Sequence, residues 1–206
     1  GTIKIPQNYY ADLLEENIAF NTVESSVQVS GADQISFNHR KAGYELTRYL
    51  IGLGHTRIAF ITYAPRLQTY TSTRERMNGY LDAVREAGLS PITFLETERY
   101  SKTFGDEVQL AYELLRRSWP SVEPPTAVIG ANDSFALGVL HSLKDMGLSI
   151  PGDVSVAGFD DLYAEMGVPR ITSMRMPVSS AGELAAHMLI ERIKEKRLPQ
   201  DWRSIV

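Results

Sequence analysis

Short apolar runs alternate with longer amphipathic stretches from about residue 41 onward, and this alternation predicts an α/β protein with a mostly parallel, doubly wound sheet. The runs are four to six residues long and the stretches a dozen or more, which are the lengths of buried strands and of crossover helices. Glycines stand where several of the amphipathic stretches stop, as helix ends require.

The elements follow in order. Pro6 to Glu16 is compatible with a helix whose apolar face is Tyr9, Tyr10, Leu13 and Leu14, followed by a strand at Ile18-Ala19-Phe20. Val23 to Asp33 reads as polar loop, so this first part fits the pattern less well. Ala42, Leu46, Tyr49, Leu50 and Leu53 recur at helical spacing, and Gly54 stops that helix. Residues 57–62 read as a buried strand. Ser72-Thr73-Arg74-Glu75 has the form of a capping box opening a helix with Met77, Leu81 and Val84 on its apolar stripe and Gly88 at its end. Ile92 to Leu95 is a brief strand, and Phe104, Val108, Ala111 and Leu115 mark a third helix. Thr126 to Gly130 is a strand. Asn132 or Asp133 caps the next helix, whose core face is Ala136, Val139, Leu140 and Leu143 and whose stop is Gly147. Asp153 to Phe159 is another strand, and Ser180-Ala181-Gly182-Glu183 resembles a second capping box opening a helix to about Lys196.

Composition narrows the function. Of 206 residues, 43% are hydrophobic and 22% charged, ordinary for a chain that buries a sizeable core. The net charge is -4 and no Lys/Arg run exceeds two residues, so these residues are poor candidates for gripping phosphate backbones. No apolar stretch is long enough to span a membrane. The absence of cysteine excludes disulfides, thiol catalysis and zinc-cysteine sites. The first six residues carry no signal-peptide pattern.

Ligands of open parallel sheets bind beyond the carboxyl ends of the strands. Asn21, Tyr63, the pair Asn132 and Asp133, and the pair Asp160 and Asp161 follow four separate predicted strands, and Arg76 in the first turn of its helix points to the same rim. A carboxylate, an amide and a guanidinium beside aromatic rings suit a ligand rich in hydroxyls, because each makes paired hydrogen bonds. Each residue also has a plainer reading. Asn132 suits a helix cap, Asp160-Asp161 a turn, Arg76 a solvated surface, and Tyr63, Tyr70, Tyr100 and Phe104 ordinary packing.

Four segments carry a resemblance: GYELTRYLIGLGHTRIAFI, STRERMNGYLDAVREAGL, PTAVIGANDSFALGVLHSLKDMGLSIPGDVSVAGFDD and PRITSMRMP. In this order they resemble the effector-binding core of the lactose-repressor (LacI/GalR) family over roughly residues 34 to 196, with the AND and GFDD motifs the most specific. The resemblance implies a two-lobed type I periplasmic-binding-protein-like fold with parallel doubly wound sheets, its N-terminal lobe partly missing here. It divides the chain into 1–57 as partial N-terminal lobe, 58–175 as C-terminal lobe, and 176–206 as crossover and returning helix. It implies a small polar effector, a sugar or similar molecule, held between the lobes, with no cofactor and no metal. It further implies a homodimer, a helix-turn-helix DNA-binding domain outside this chain, and a cytoplasmic protein. Carried over by motif, Arg76 of R-x-x-G with Gly79, Asn132 of AND and Asp160 of GFDD are effector contacts. Tyr100 and Ser72 lie where members place a stacking aromatic and a polar contact. Met176 replaces a polar residue of some members, which makes that side of the pocket apolar. Asp160→Ala is expected to weaken effector binding by about 2 kcal/mol or more and to leave the fold intact.

Two other functions compete. Asp133 with Asp160-Asp161 presents the oxygens a magnesium-dependent phosphoryl-transfer enzyme needs. The lysine and hydroxyl partners of such a site are missing, the four histidines are scattered, Gly52-Leu53-Gly54 precedes a strand instead of following one, and no G-x-S-x-G elbow is present. A sugar-transport receptor shares the expected fold and much of the pocket; Gly54-His55-x-x-Ile58 and GFDD favour the regulator, which is not an enzyme.

Overall fold

The computed structural model describes residues 7–25, 27–97, 103–119, 123–195 and 203–205. By its internal contacts the chain forms two compact units, residues 1–38 with 177–206, and residues 39–176.

The larger unit carries a five-stranded, all-parallel sheet. Its strands are β3 (Ile58–Tyr63), β4 (Ile92–Glu96), β5 (Ala127–Gly130), β6 (Ser155–Asp160) and β7 (Thr172–Arg175), in the spatial order β4-β3-β5-β6-β7. Helices cover both faces, so the interior strands are apolar on both sides. Side chains alternate between two cores. Ile58 and Phe60 of β3 meet Leu46, Leu50, Tyr80 and Val84 on one face. Ala59, Ile61 and Tyr63 meet Leu110, Leu114, Phe135, Val139 and Leu140 on the other. The first face is built from α2 (His39–Gly52) and α4 (Thr71–Glu86), the second from α5 (Phe104–Ser118) and α6 (Asp133–Asp145). The α/β class and the parallel, helix-covered sheet are those the sequence predicts.

Glycines do two kinds of work here. Gly54, Gly88 and Gly147 hold φ of 93°, 68° and 78° just beyond α2, α4 and α6, conformations that L side chains avoid. Gly43 and Gly79 let α2 and α4 touch backbone to backbone: a Cβ on Gly79 would meet the Arg40 carbonyl oxygen at 2.0 Å, and one on Gly43 the Arg76 carbonyl oxygen at 2.1 Å. The glycine of R-x-x-G is therefore a packing residue that fixes where the arginine one turn earlier stands.

The smaller unit comprises α1 (Gln7–Glu15), β1 (Asn21–Val23), β2 (Asp33–Ile35), α7 (Val178–Glu195) and β8 (Ser204–Ile205), with its strands parallel in the order β1-β2-β8. Ile35, Ala181 and Met188 form its core. Asp33, fully buried, is charge-paired with Arg192 at 3.3 Å and accepts the Arg203 backbone N–H at 2.8 Å.

Several local expectations change. The strand expected at residues 18–20 lies at Asn21–Val23, so Asn21 opens a strand, and its amide donates to the Ala185 carbonyl at 2.6 Å instead of facing a rim. The four-residue signatures at Ser72 and Ser180 do not cap. α4 begins at Thr71 after Tyr70 with no side-chain cap, and α7 begins at Val178. The capping box that forms is Thr103 with Asp106 at the start of α5. A short helix, α3 (Ala64–Thr69), and the edge strand β7 have no counterpart in the sequence reading, because neither is long enough to show periodicity.

Candidate functional site

The strand order reverses between β3 and β5, whose following helices cover opposite faces of the sheet, and a crevice opens at such a switch point beyond the strand ends. Arg76 reaches from α4 to the residues at these strand ends. Its side chain is 6% exposed, Nη1 donates to the Ala131 carbonyl at 3.0 Å, and Nη2 lies 2.6 Å from Asp160 Oδ1. The guanidinium sits 4.7 Å from the centre of the Phe159 ring, where a planar cation is attracted to the π face. Nε is 3.4 Å from His39 Nδ1. One side chain thus joins the exits of β5 and β6.

Asn132 stands next to Ala131 and serves two partners. Its Oδ1 accepts the Phe135 backbone N–H at 3.0 Å, which caps α6, and its Nδ2 donates to Glu107 Oε2 at 2.9 Å. The cap reading and the rim reading are both satisfied by one residue. Glu107 also forms an ion pair with Arg66 of α3, and Arg66 Nε donates to Thr73 Oγ1 at 3.0 Å.

Asp160 and Asp161 hold φ of 97° and 52°, the left-handed region that costs most residues energy and that Asp tolerates better than most. Asp133 holds this turn in place. Its Oδ2 accepts the backbone N–H groups of Leu162 and Tyr163 at 2.8 and 3.0 Å, and its Oδ1 accepts the Ser173 hydroxyl at 2.6 Å. Burial pushes the Asp133 carboxyl above its ordinary range, while these three donors pull the other way. Asp161 faces Arg175 at 2.6 Å, and this guanidinium holds its carboxyl below the usual range. Asp133 and Asp161 are thereby engaged by neighbours, and among the described residues no group of three or more His, Asp and Glu side chains is placed to hold a metal ion.

The structure therefore brings Arg76, Asn132 and Asp160 to one rim. Ser72 lies half-buried in the first turn of α4, on the segment that leads to Arg76. Tyr100 lies outside the described residues. Tyr63, expected at a strand exit, is the last residue of β3 itself; it is buried and stacked on Phe135 with centroids 5.8 Å apart, so it belongs to the core. The aromatic pair at the strand exits is Phe104 with Tyr163, 4.4 Å between centroids. Arg66 and Glu107 escaped the sequence reading because they are 41 residues apart and in no shared motif; the Thr103–Asp106 box was the one local sign that the first turn of α5 starts there. A groove of about 400 Å³ lined by Val108, Tyr112, His141 and Lys144 lies toward the C-terminal end of α6, the end remote from Asn132.

A parallel sheet with charged and amide side chains gathered at its switch point is the build of a small-molecule-binding α/β domain. Residues 47–205 match the family described as periplasmic binding protein-like domain, and the chain belongs to that family. It is similar to the HTH-type transcriptional repressor PurR of Vibrio vulnificus, at 35% identity over 168 residues, covering 81% of this chain and 48% of that protein. The ribose operon repressor of Escherichia coli is 35% identical over 170 residues, covering 82% of this chain and 49% of the repressor. The chain thus spans about half the length of the curated relatives it matches. Among solved structures, a LacI family transcriptional regulator from Enterococcus faecium with bound ribose superimposes with a TM-score of 0.78 at 22% identity, covering 98% of this chain and 71% of that one. The lactose-repressor resemblance carried by the four motifs is borne out by these relatives, which are repressors. Among the described residues no helix is long and apolar enough to cross a membrane.

Proposed function

We propose that this chain is the effector-binding domain of a DNA-binding transcriptional regulator, and that its effector is a sugar or a similar small polar molecule. The observation that carries this reading is the meeting of Arg76, Asn132 and Asp160 at the switch point, in a chain similar to the ribose operon repressor. Arg76, Asn132 and Asp160 are its effector contacts, joined by Ser72 and Tyr100. In this reading the protein catalyses no reaction and works in the cytoplasm, where its operator is. DNA is held by a helix-turn-helix domain that is not among these residues. The effector changes operator affinity through its unequal affinity for two arrangements of the protein, the only means by which a ligand shifts an equilibrium. A homodimer belongs to the same reading. Leu162, Met166 and Val168 are 69%, 60% and 71% exposed on the segment after β6, apolar surface of the kind that a second copy would bury.

A thermal-shift screen over pentoses, hexoses, sugar phosphates and nucleobases tests the reading. A true effector raises the melting temperature in proportion to the logarithm of its concentration above Kd. A chain whose melting temperature responds to none of them is not an effector domain of this kind. Sedimentation of Leu162→Glu against the parent chain tests the dimer, and an unchanged mass would remove it.

A further inference from the structure

Among the ion pairs at the strand exits, the motifs account for some and not for others. Arg76 with Asp160 belongs to the motifs; Arg66 with Glu107 does not. Arg66 lies on α3, which follows β3, and Glu107 lies in the first turn of α5, which follows β4. Their side chains are 17% and 13% exposed, too dry for an ordinary surface pair and open enough to touch a ligand. Arg66 is further held by Thr73 and by the Tyr70 ring, 5.0 Å from its guanidinium carbon, and Glu107 by the Asn132 amide. Arg76 and Arg66 therefore each have their own carboxylate.

We propose that Glu107 is a specificity-determining residue of the effector site. As the counter-charge of Arg66, it makes the site select uncharged polyhydroxylated molecules over their phosphorylated or carboxylated counterparts. This inference rests on the effector-binding reading above. A hydroxyl both donates and accepts, so it can lie against an ion pair, giving its proton to the carboxylate and taking one from the guanidinium. A phosphate or carboxylate only accepts. It would have to take Arg66 from Glu107 and leave two anions side by side in a poorly solvated place, where their repulsion is little screened. Removing the charge of Glu107 while keeping its size should turn Arg66 into a free cation and admit the anion.

The test is calorimetric titration of the full chain with D-ribose, D-galactose and cellobiose, and with D-ribose 5-phosphate, D-galactose 6-phosphate and D-glucuronate. Expected for the parent chain is binding of an uncharged sugar, with its charged counterpart at least ten-fold weaker. In Glu107→Gln, where the amide oxygen still accepts from Asn132, that preference should shrink ten-fold or more, and the shrinkage should fade as salt is raised. The double variant Arg66→Gln with Glu107→Gln, which has neither charge, should recover the parent preference. A parent chain that prefers a charged member, or a Glu107→Gln variant that folds with its preference unchanged, overturns this proposal and leaves the effector reading standing. Binding of no compound of either kind overturns both.

Discussion

Arg76 Nη2 lies 2.6 Å from Asp160 Oδ1, so helix α4 is tied to the exit of β6 by a pair of side chains 84 residues apart. The arginine is nearly sealed from solvent and its aspartate is 30% exposed. The pair is part of the fold as well as of the rim, and it changes what a substitution there should do.

Asp160→Ala leaves a buried guanidinium without its anion, and breaking such a pair costs more than the pair contributes. The sequence reading expects an intact fold; from the structure we expect a loss of about 2–4 kcal/mol in urea unfolding, reduced by the partial exposure of Asp160. Asp160→Asn retains an acceptor and suits the positive φ, so it should cost about half as much. An Ala variant as stable as the parent chain would remove the buried-pair account.

Asp133 should tolerate amidation and not truncation. Burial disfavours its charge, and an amide oxygen can still take the two backbone N–H groups while the amide nitrogen faces the Ser173 hydroxyl. Asp133→Asn is expected to cost under about 1 kcal/mol, and Asp133→Ala about 1–3 kcal/mol, because three partly buried donors lose their acceptor together. Equal stability of the two variants in denaturant titrations would contradict this.

Gly79→Ala should be among the most damaging small substitutions in the chain. Helix propensity alone would favour alanine by about 1 kcal/mol. The new methyl, however, meets the Arg40 carbonyl oxygen at 2.0 Å and the Tyr44 nitrogen at 2.6 Å, both backbone atoms. Forcing α2 away from α4 is expected to cost about 3 kcal/mol or more. Gly52→Ala, with nothing within 4 Å of its new carbon, is the control and should be neutral or mildly stabilising. Melting temperatures of the two variants check this, and similar values would refute the close-packing argument.

Tyr80 gives the fold an alkaline limit. Its hydroxyl accepts the Ile92 N–H at 2.7 Å and lies 2.9 and 3.0 Å from the carbonyls of Ile58 and Ile92, and burial pushes its phenol up from 10.0 to about 12. Above pH 10 the unfolded chain releases a proton that the folded chain keeps. The stability linked to Tyr80 is therefore complete below pH 10 and is lost as pH rises toward 12, by about 3 kcal/mol for two units. Tyr80→Phe should lower stability at pH 7 by about 1–3 kcal/mol, through the orphaned Ile92 N–H, and should flatten the decline between pH 10 and 12. Urea unfolding at pH 8, 10 and 11.5 checks both halves. A parallel decline in the two proteins would show that Tyr80 is not its source.

Much of this molecule was legible in the chain because its signals are local. The buried strands show as unbroken apolar runs, the helices as 3.6-residue stripes, and the helix ends as glycines with positive φ, so the class of fold, the four core strands β3 to β6 of the larger sheet and the position of Asn132 as a cap follow from residues near one another. The convergence of Arg76, Asn132 and Asp160 was reachable as well, since the rule that parallel strands end at a common rim turns linear order into place. Tertiary structure alone decided the rest. Whether Tyr63 is rim or core turned on one residue of strand length; whether Ser72 caps a helix turned on where α3 hands over to α4. That Arg76 spends its charge on Asp160, Asp133 on a turn nearly thirty residues away, and Arg66 on Glu107 depends on distances between segments that touch only after folding. An ion pair has no period and no spacing, so its partners are chosen by packing.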